Sequence, residues 1–252
     1  MERAGALRGK RYRLIDTLRA LALLNMLVFH FLYDVFVVYG GDFSWTLHPA
    51  VVAWERYICV SFLLIAGVSL HFSRHVLRRG LIVNACGLLI TLVTAVAIPG
   101  QIVIFGILNC IGCSMLLIGA LRRRLVKLDP FAGAGVSLLL YAVLYGLPYR
   151  YLGFFGVPLL QLPESLYQFP PLCVLGLPAE GFFSSDYFPL LPWSLLIFCG
   201  FFLWQGVLRM GADRFFLRGV PVLDQIGKYT LWIYLAHQPV LMGVCFLLFG
   251  GA

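Results

Sequence analysis

The chain is predicted to be an all-α integral membrane protein with about seven transmembrane helices, and three observations carry that prediction. Of its 252 residues 61% are hydrophobic and only 12% are charged, about half the charged share of a soluble domain. Apolar runs of roughly 20 residues, the length that crosses a hydrocarbon core of about 30 Å, recur along it. Its basic residues sit in short clusters between alternate runs. The runs lack strict apolar/polar alternation, which argues for helices and against a β-barrel. A net charge of +8 would point to nucleic acid only if it formed a basic face, so membrane lipids are the expected surroundings and no nucleic-acid partner is expected.

The runs place spans at Leu14–Val38, Val52–Phe72, Leu81–Pro99, Ile102–Leu121, Phe131–Leu147, Phe188–Leu208 and Ile226–Phe249. Before the first lie Arg3, Arg8, Lys10, Arg11 and Arg13; after the second, Arg74, Arg78 and Arg79; after the fourth, Arg122, Arg123, Arg124 and Lys127. Arg209, Arg214, Arg218 and Lys228 follow the sixth, so sixteen of the nineteen basic residues share one side. The positive-inside rule makes that side the cytoplasm, with the N-terminus inside and the C-terminus outside. The opposite loops carry only Arg150. The first run is about 25 residues long and lacks a small-residue cleavage pattern, so it reads as a span and not a signal peptide. Residues 148–187, rich in proline and glycine, hold apolar pieces too short to cross and are expected to form a re-entrant or surface cap. Trp45, Trp54 and Trp193 fall near outer span ends, as interfacial aromatics do. No internal repeat or second domain is visible, so residues 1–252 are treated as a single domain.

Ionisable groups inside apolar spans are costly and face a bundle interior or a cavity, so they point to function. In the first span Asp16, Arg19, His30 and Asp34 lie within an arc of about 60° at 100° per residue. Arg19 and His30 are separated by three turns, about 16 Å. A structural reading makes Asp16 and Arg19 a snorkelling pair, with His30 and Asp34 satisfying each other one turn apart. The chemical reading makes His30 a general base beside a carboxylate. His237 and Gln238 stand immediately before Pro239, where a proline frees backbone carbonyls that either side chain can satisfy. Asn109 is either a site residue or an interhelical amide. Asp186 either caps a helix or meets a sugar-like acceptor. His48 and Asp42 share the first outer loop with little else to distinguish them.

Metal and thiol chemistry gain little support. Cys110 and Cys113 form a CxxC pair inside an apolar helix without a second pair, and the seven cysteines read as small buried hydrophobes. His71 and His75 have i, i+4 spacing but no nearby carboxylate, which suits a solvated helix end better than a metal site. No metal is expected.

Four blocks occur in a familiar order. Asp16-Thr-Leu-Arg19-Ala-Leu-Ala, with His30 at the end of the run, resembles the opening span of the transmembrane acyltransferase superfamily. Phe105-Gly-Ile-Leu-Asn-Cys-Ile-Gly112, Asp186-Tyr-Phe-Pro-Leu-Leu-Pro-Trp193 and Ile226-Gly-Lys-Tyr-Thr-Leu-Trp-Ile-Tyr-Leu-Ala-His-Gln-Pro239 resemble its branch containing the catalytic domain of heparan-alpha-glucosaminide N-acetyltransferase and related bacterial proteins. The resemblance implies transfer of an acetyl or other acyl group from cytoplasmic acyl-coenzyme A to a carbohydrate amine or hydroxyl at the outer face of a bacterial plasma (inner) membrane. It implies acyl-coenzyme A and a glycan as partners and allows a homo-oligomer. In the related family that O-acylates surface polysaccharides, an Arg followed eleven residues later by a His is the activity motif, and Arg19 and His30 match it. The lysosomal enzyme has Asn where His30 stands and its essential His in the next loop, where this chain's only His is His48.

The expected roles are therefore His30, Asp34 and His48 in catalysis, Arg19 and Asp16 at the donor, and Asn109, Asp186, His237 and Gln238 at the acceptor. Direct attack and an acyl-His intermediate both suit these residues. A proton-coupled small-molecule transporter is the competing class, because buried His and Asp also build proton relays. No inverted repeat supports it. A non-catalytic membrane protein, with the polar stripe serving packing, is the third.

Overall fold

Each apolar run becomes a helix because its backbone has no water to bond and must satisfy itself. The computed structural model describes residues 11–250. Arg3, Arg8 and Lys10, counted above with the basic residues, lie outside them. Helix α1 (Arg13–Tyr33) runs on into a π-helical stretch at Asp34–Tyr39, followed by α2 (Ser44–Leu47), α3 (Pro49–Ser69), α4 (Val76–Ala97), α5 (Ile107–Leu125) and α6 (Pro130–Leu144). A hairpin of β1 (Tyr151–Phe154) and β2 (Val157–Gln161) comes next, then α7 (Leu190–Met210), α8 (Pro221–Ile226) and α9 (Thr230–Phe249).

Six helical stretches among the described residues are long and apolar enough to cross a membrane, and they coincide with six of the seven expected spans. The remaining one is present as α5. Its 19 residues give about 28 Å of length, but Arg122, Arg123 and Arg124 occupy its last turn. The chain is thus an all-α membrane protein with a small antiparallel hairpin added. That hairpin and the short 3₁₀ turns at Glu164–Tyr167 and Pro170–Leu175 form the segment expected as a cap.

Backbone contacts divide the chain into two compact units, one of residues up to Ile65 together with those from Met210 onward, the other of residues 66–209. In the first, α1 packs against α8 and α9. Leu23, Met26 and Ile58 form its buried centre, with Phe29, Trp54, Ile226 and Tyr234 packed around them. Close approach is made possible by Gly227, where an added Cβ would stand 2.0 Å from the Asp16 carbonyl oxygen.

The second unit relies on small residues, as membrane helices do when packing replaces the hydrophobic drive. A Cβ on Gly87 would meet the Asn109 side chain at 2.6 Å, and one on Gly112 would meet Asn84 at the same distance. Two helices, α4 and α5, therefore interlock glycine against asparagine twice. Gly67 does the same for α3 and α7, with its missing Cβ 2.0 Å from the Ile197 carbonyl oxygen. Trp193, expected at the lipid interface, is buried against Tyr141, Tyr145 and Phe188.

Candidate active site

Helix α1 carries a polar stripe because Asp16, Arg19, His30 and Asp34 fall on one side of its turn. At its first turns charges are paired densely. Asp16 accepts from Arg19 at 2.7 Å and from Arg11 at 2.7 Å, while the Arg19 Nη1 also donates to the Gly227 carbonyl at 3.2 Å. Arg13 pairs with Asp224, which is 1% exposed and keeps its other oxygen, Oδ1, without a hydrogen-bond partner. Tyr12 donates to Asp213 at 3.0 Å. Burial first, and then that carboxylate, push the Tyr12 phenol up to about 12. Thr17 joins the same end, accepting from the Val220 N–H at 3.0 Å. These bonds fix the segment before α9 against the start of α1.

Toward the other end of the stripe the geometry becomes chemical. The His30 Nδ1 donates to the Met26 carbonyl at 2.9 Å. A neutral imidazole so bonded has its proton on Nδ1 and a lone pair on Nε2, the arrangement a general base requires. His237 repeats it on α9, donating from Nδ1 to the Tyr234 carbonyl, and its Nε2 is buried without a partner. The two rings meet edge to face with centroids 4.8 Å apart. Asp34 is fully buried at the start of the π-helical stretch and accepts from Gln238 Nε2 at 2.8 Å. Its Oδ2 and the Gln238 Oε1 are buried without partners. His30, Asp34, His237 and Gln238 are thus brought together on α1 and α9. Asp34 bonds Gln238, and the Nδ1 of His30 is held by its own helix.

His48 is exposed between α2 and α3, where its Nδ1 accepts from the Ala50 N–H at 3.3 Å. Asn109 and Asp186 belong to the second unit. The Asn109 amide spans to Asn84 at 3.5 Å, and its Oδ1 is buried without a partner. The Asp186 carboxylate accepts from the Ile107 N–H at 3.3 Å, placing negative charge at the N-terminus of α5, where free N–H groups and the helix dipole favour it. Ser184 and Ser185 bind the same strand of chain through Ile104 and Ile102. His71 stacks on Phe201 and donates to its carbonyl at 3.0 Å. The helix breaks at Ser73, so His71 and His75 do not lie on one helical face. Among the described residues no group of three His, Cys, Asp or Glu could hold a metal ion.

Asn84 and Asn25 escaped the sequence reading. Asn84 stands four residues after Gly80 and three before Gly87, a spacing that marks one packed helix face. Asn25 accepts from the Trp54 indole at 3.1 Å and ties α1 to α3.

The family described as heparan-alpha-glucosaminide N-acetyltransferase, catalytic, matches residues 11–239. The chain belongs to this family. It is therefore a member of a transmembrane acetyltransferase-type family, and the match takes in α1 through the His237-Gln238-Pro239 turn of α9. No curated protein and no solved structure matches the chain.

Proposed function

We propose that the protein transfers an acetyl or other acyl group from a cytoplasmic acyl-coenzyme A to a carbohydrate amine or hydroxyl at the outer face of a bacterial plasma membrane. The observation that carries this reading is the His30 ring, whose Nδ1 is held by the Met26 carbonyl and which meets the His237 ring edge to face; in the neutral imidazole this leaves Nε2 as the proton acceptor. As the acceptor nitrogen or oxygen attacks the thioester carbonyl, a C–N or C–O bond forms and the C–S bond breaks. The proton of the acceptor goes to His30 Nε2, which then passes it to the departing coenzyme A thiolate, so that the ring is neutral again and the free thiol is released.

Arg19, steadied by Asp16 and the Gly227 carbonyl, is assigned to the polar end of the donor, a phosphate or pantetheine carbonyl,. Asp34 and Gln238 hold the π-helical stretch to α9 and so place the two imidazoles. His48 is the alternative base, in keeping with the lysosomal pattern. For Asn109 and Asp186 the hydrogen bonds support structural roles, an interhelical amide and a helix cap. Purified protein in lipid vesicles, given acetyl-coenzyme A and glucosamine, should release free thiol and form acetylated sugar in equal amounts. Proton-coupled uptake of the sugar without thiol release would contradict the reading and favour a transporter.

A further inference from the structure

The β1–β2 hairpin presents an apolar surface that no element of the described residues covers. Every residue of β2 is exposed, on both faces of the strand. Phe154, Phe155, Val157 and Leu160 are exposed with it, and Leu159 reaches 77%. From Tyr151 to Pro163 there is no charged residue. Immediately outside that interval Arg150 and Glu164 form an ion pair at 3.3 Å. A soluble surface alternates polar and apolar side chains along a half-buried strand; this hairpin does not.

Its placement identifies the surroundings. The hairpin turns back onto the end of a membrane-spanning helix, where the Phe155 N–H donates to the Ala142 carbonyl at 3.3 Å. Ala142 lies within the last turn of α6, whose carbonyls have no partner in their own helix. The ring of Tyr151 covers Gly146, where a Cβ would come within 2.0 Å of it. The hairpin is therefore held at its tip by the last turn of α6 and at its start by the turn that follows that helix. Exposed side chains of α6 itself, Leu138, Leu139 and Leu140 among them, continue the same apolar character. Whatever bathes the end of α6 bathes the hairpin.

Depth follows from the backbone. A two-stranded sheet has two open edges, and unpaired N–H and C=O groups are not tolerated in the hydrocarbon region. Apolar side chains, on the other hand, favour leaving water. Both demands are met at the headgroup–acyl boundary, where interfacial elements bury their apolar face by roughly 5–10 Å.

We propose that the hairpin is an interfacial membrane anchor, inserting Phe154, Phe155, Val157 and Leu159 into the lipid leaflet at the end of α6, with Arg150 and Glu164 at headgroup level. The partner is the bilayer. This holds whichever side of the membrane the hairpin occupies, and it is independent of the acyl-transfer reading.

The test uses the unaltered protein in phosphatidylcholine vesicles containing a phospholipid with a photoreactive diazirine either near the glycerol or at the acyl terminus. The shallow probe should label the peptide covering residues 151–163, and the deep probe should label α6 but not that peptide. A variant carrying Phe155→Asp and Leu159→Asp should lose the hairpin adducts while keeping those on α6, which also reports that the helix is still inserted. Absence of hairpin labelling by the shallow probe overturns the proposal, as does equal labelling by the deep one. Crosslinks from the hairpin to a second copy of the chain in place of lipid adducts would overturn it too, in favour of a protein interface.

Discussion

Gly227 shows how a single residue without a side chain holds the first unit together. It lets the chain entering α9 approach α1 until its carbonyl bonds Arg19, with the Asp16 backbone 2.0 Å from where a Cβ would stand. The obstruction is backbone, so it cannot swing aside. Gly227→Ala is expected to destabilise the protein by about 1–3 kcal/mol, the range for overpacking, and to weaken acetyl-coenzyme A binding because Arg19 loses its bond to the Gly227 carbonyl. Thermal unfolding in detergent and donor-binding titration check both parts. An unchanged melting temperature together with unchanged donor affinity would mean that the contact is dispensable. The polar stripe of α1 was legible from spacing alone, since 100° per residue places Asp16, Arg19, His30 and Asp34 together. What spacing could not supply was the partner of each group. Asp34 bonds Gln238, 204 positions away, and a buried carboxylate takes whichever donor tertiary packing brings to it.

Among the elements, α6 is the helix whose start is most clearly specified. Asp129 accepts from the Phe131 and Ala132 N–H groups at 3.0 Å each, Pro130 takes the first helical position, and Arg209 pairs with the same carboxylate. The Ala132 N–H first, then Arg209, hold the Asp129 carboxyl below the ordinary carboxylate range. A carboxyl whose folded value is depressed contributes stability above its unfolded value, about 3.9, and loses that contribution as the pH falls through the folded value. Acidification below about pH 4 should therefore lower the melting temperature, and Asp129→Asn, which can still cap but does not titrate, should reduce that acid sensitivity. An identical pH profile for the variant would remove Asp129 from the account. Helices of this kind were legible because a 20-residue apolar run has few alternatives. The hairpin was not: the proline- and glycine-rich stretch pointed only to a re-entrant or surface cap, and a strand pair of four and five residues is decided by which backbone groups meet, here with a register shift between Leu152 and Gly153.

For the whole molecule, the clustering of basic residues sets the proposed topology, with α5 counted as a span whose arginines snorkel to the cytoplasmic headgroups. Cysteine labelling in intact cells should find Arg122–Lys127 protected from an impermeant reagent and Pro163–Asp186 reactive once cysteines are introduced there. Labelling of the arginine loop from outside would reverse the membrane orientation and with it the side from which the donor enters. The family was legible in four short blocks, and the match over residues 11–239 shows it; the proposed chemistry draws on residues of α1 and α9.

The most direct test of the central claim compares His30→Ala with His48→Ala in the acetyl-coenzyme A and glucosamine assay. A positioned base contributes about 10²–10⁴-fold to rate, so His30→Ala should lose activity by that factor while remaining inserted and binding acetyl-coenzyme A with unaltered affinity, and His48→Ala should stay near normal. Near-normal turnover in His30→Ala would contradict the account, and inactivity of His48→Ala alongside it would move the base to the loop between α2 and α3.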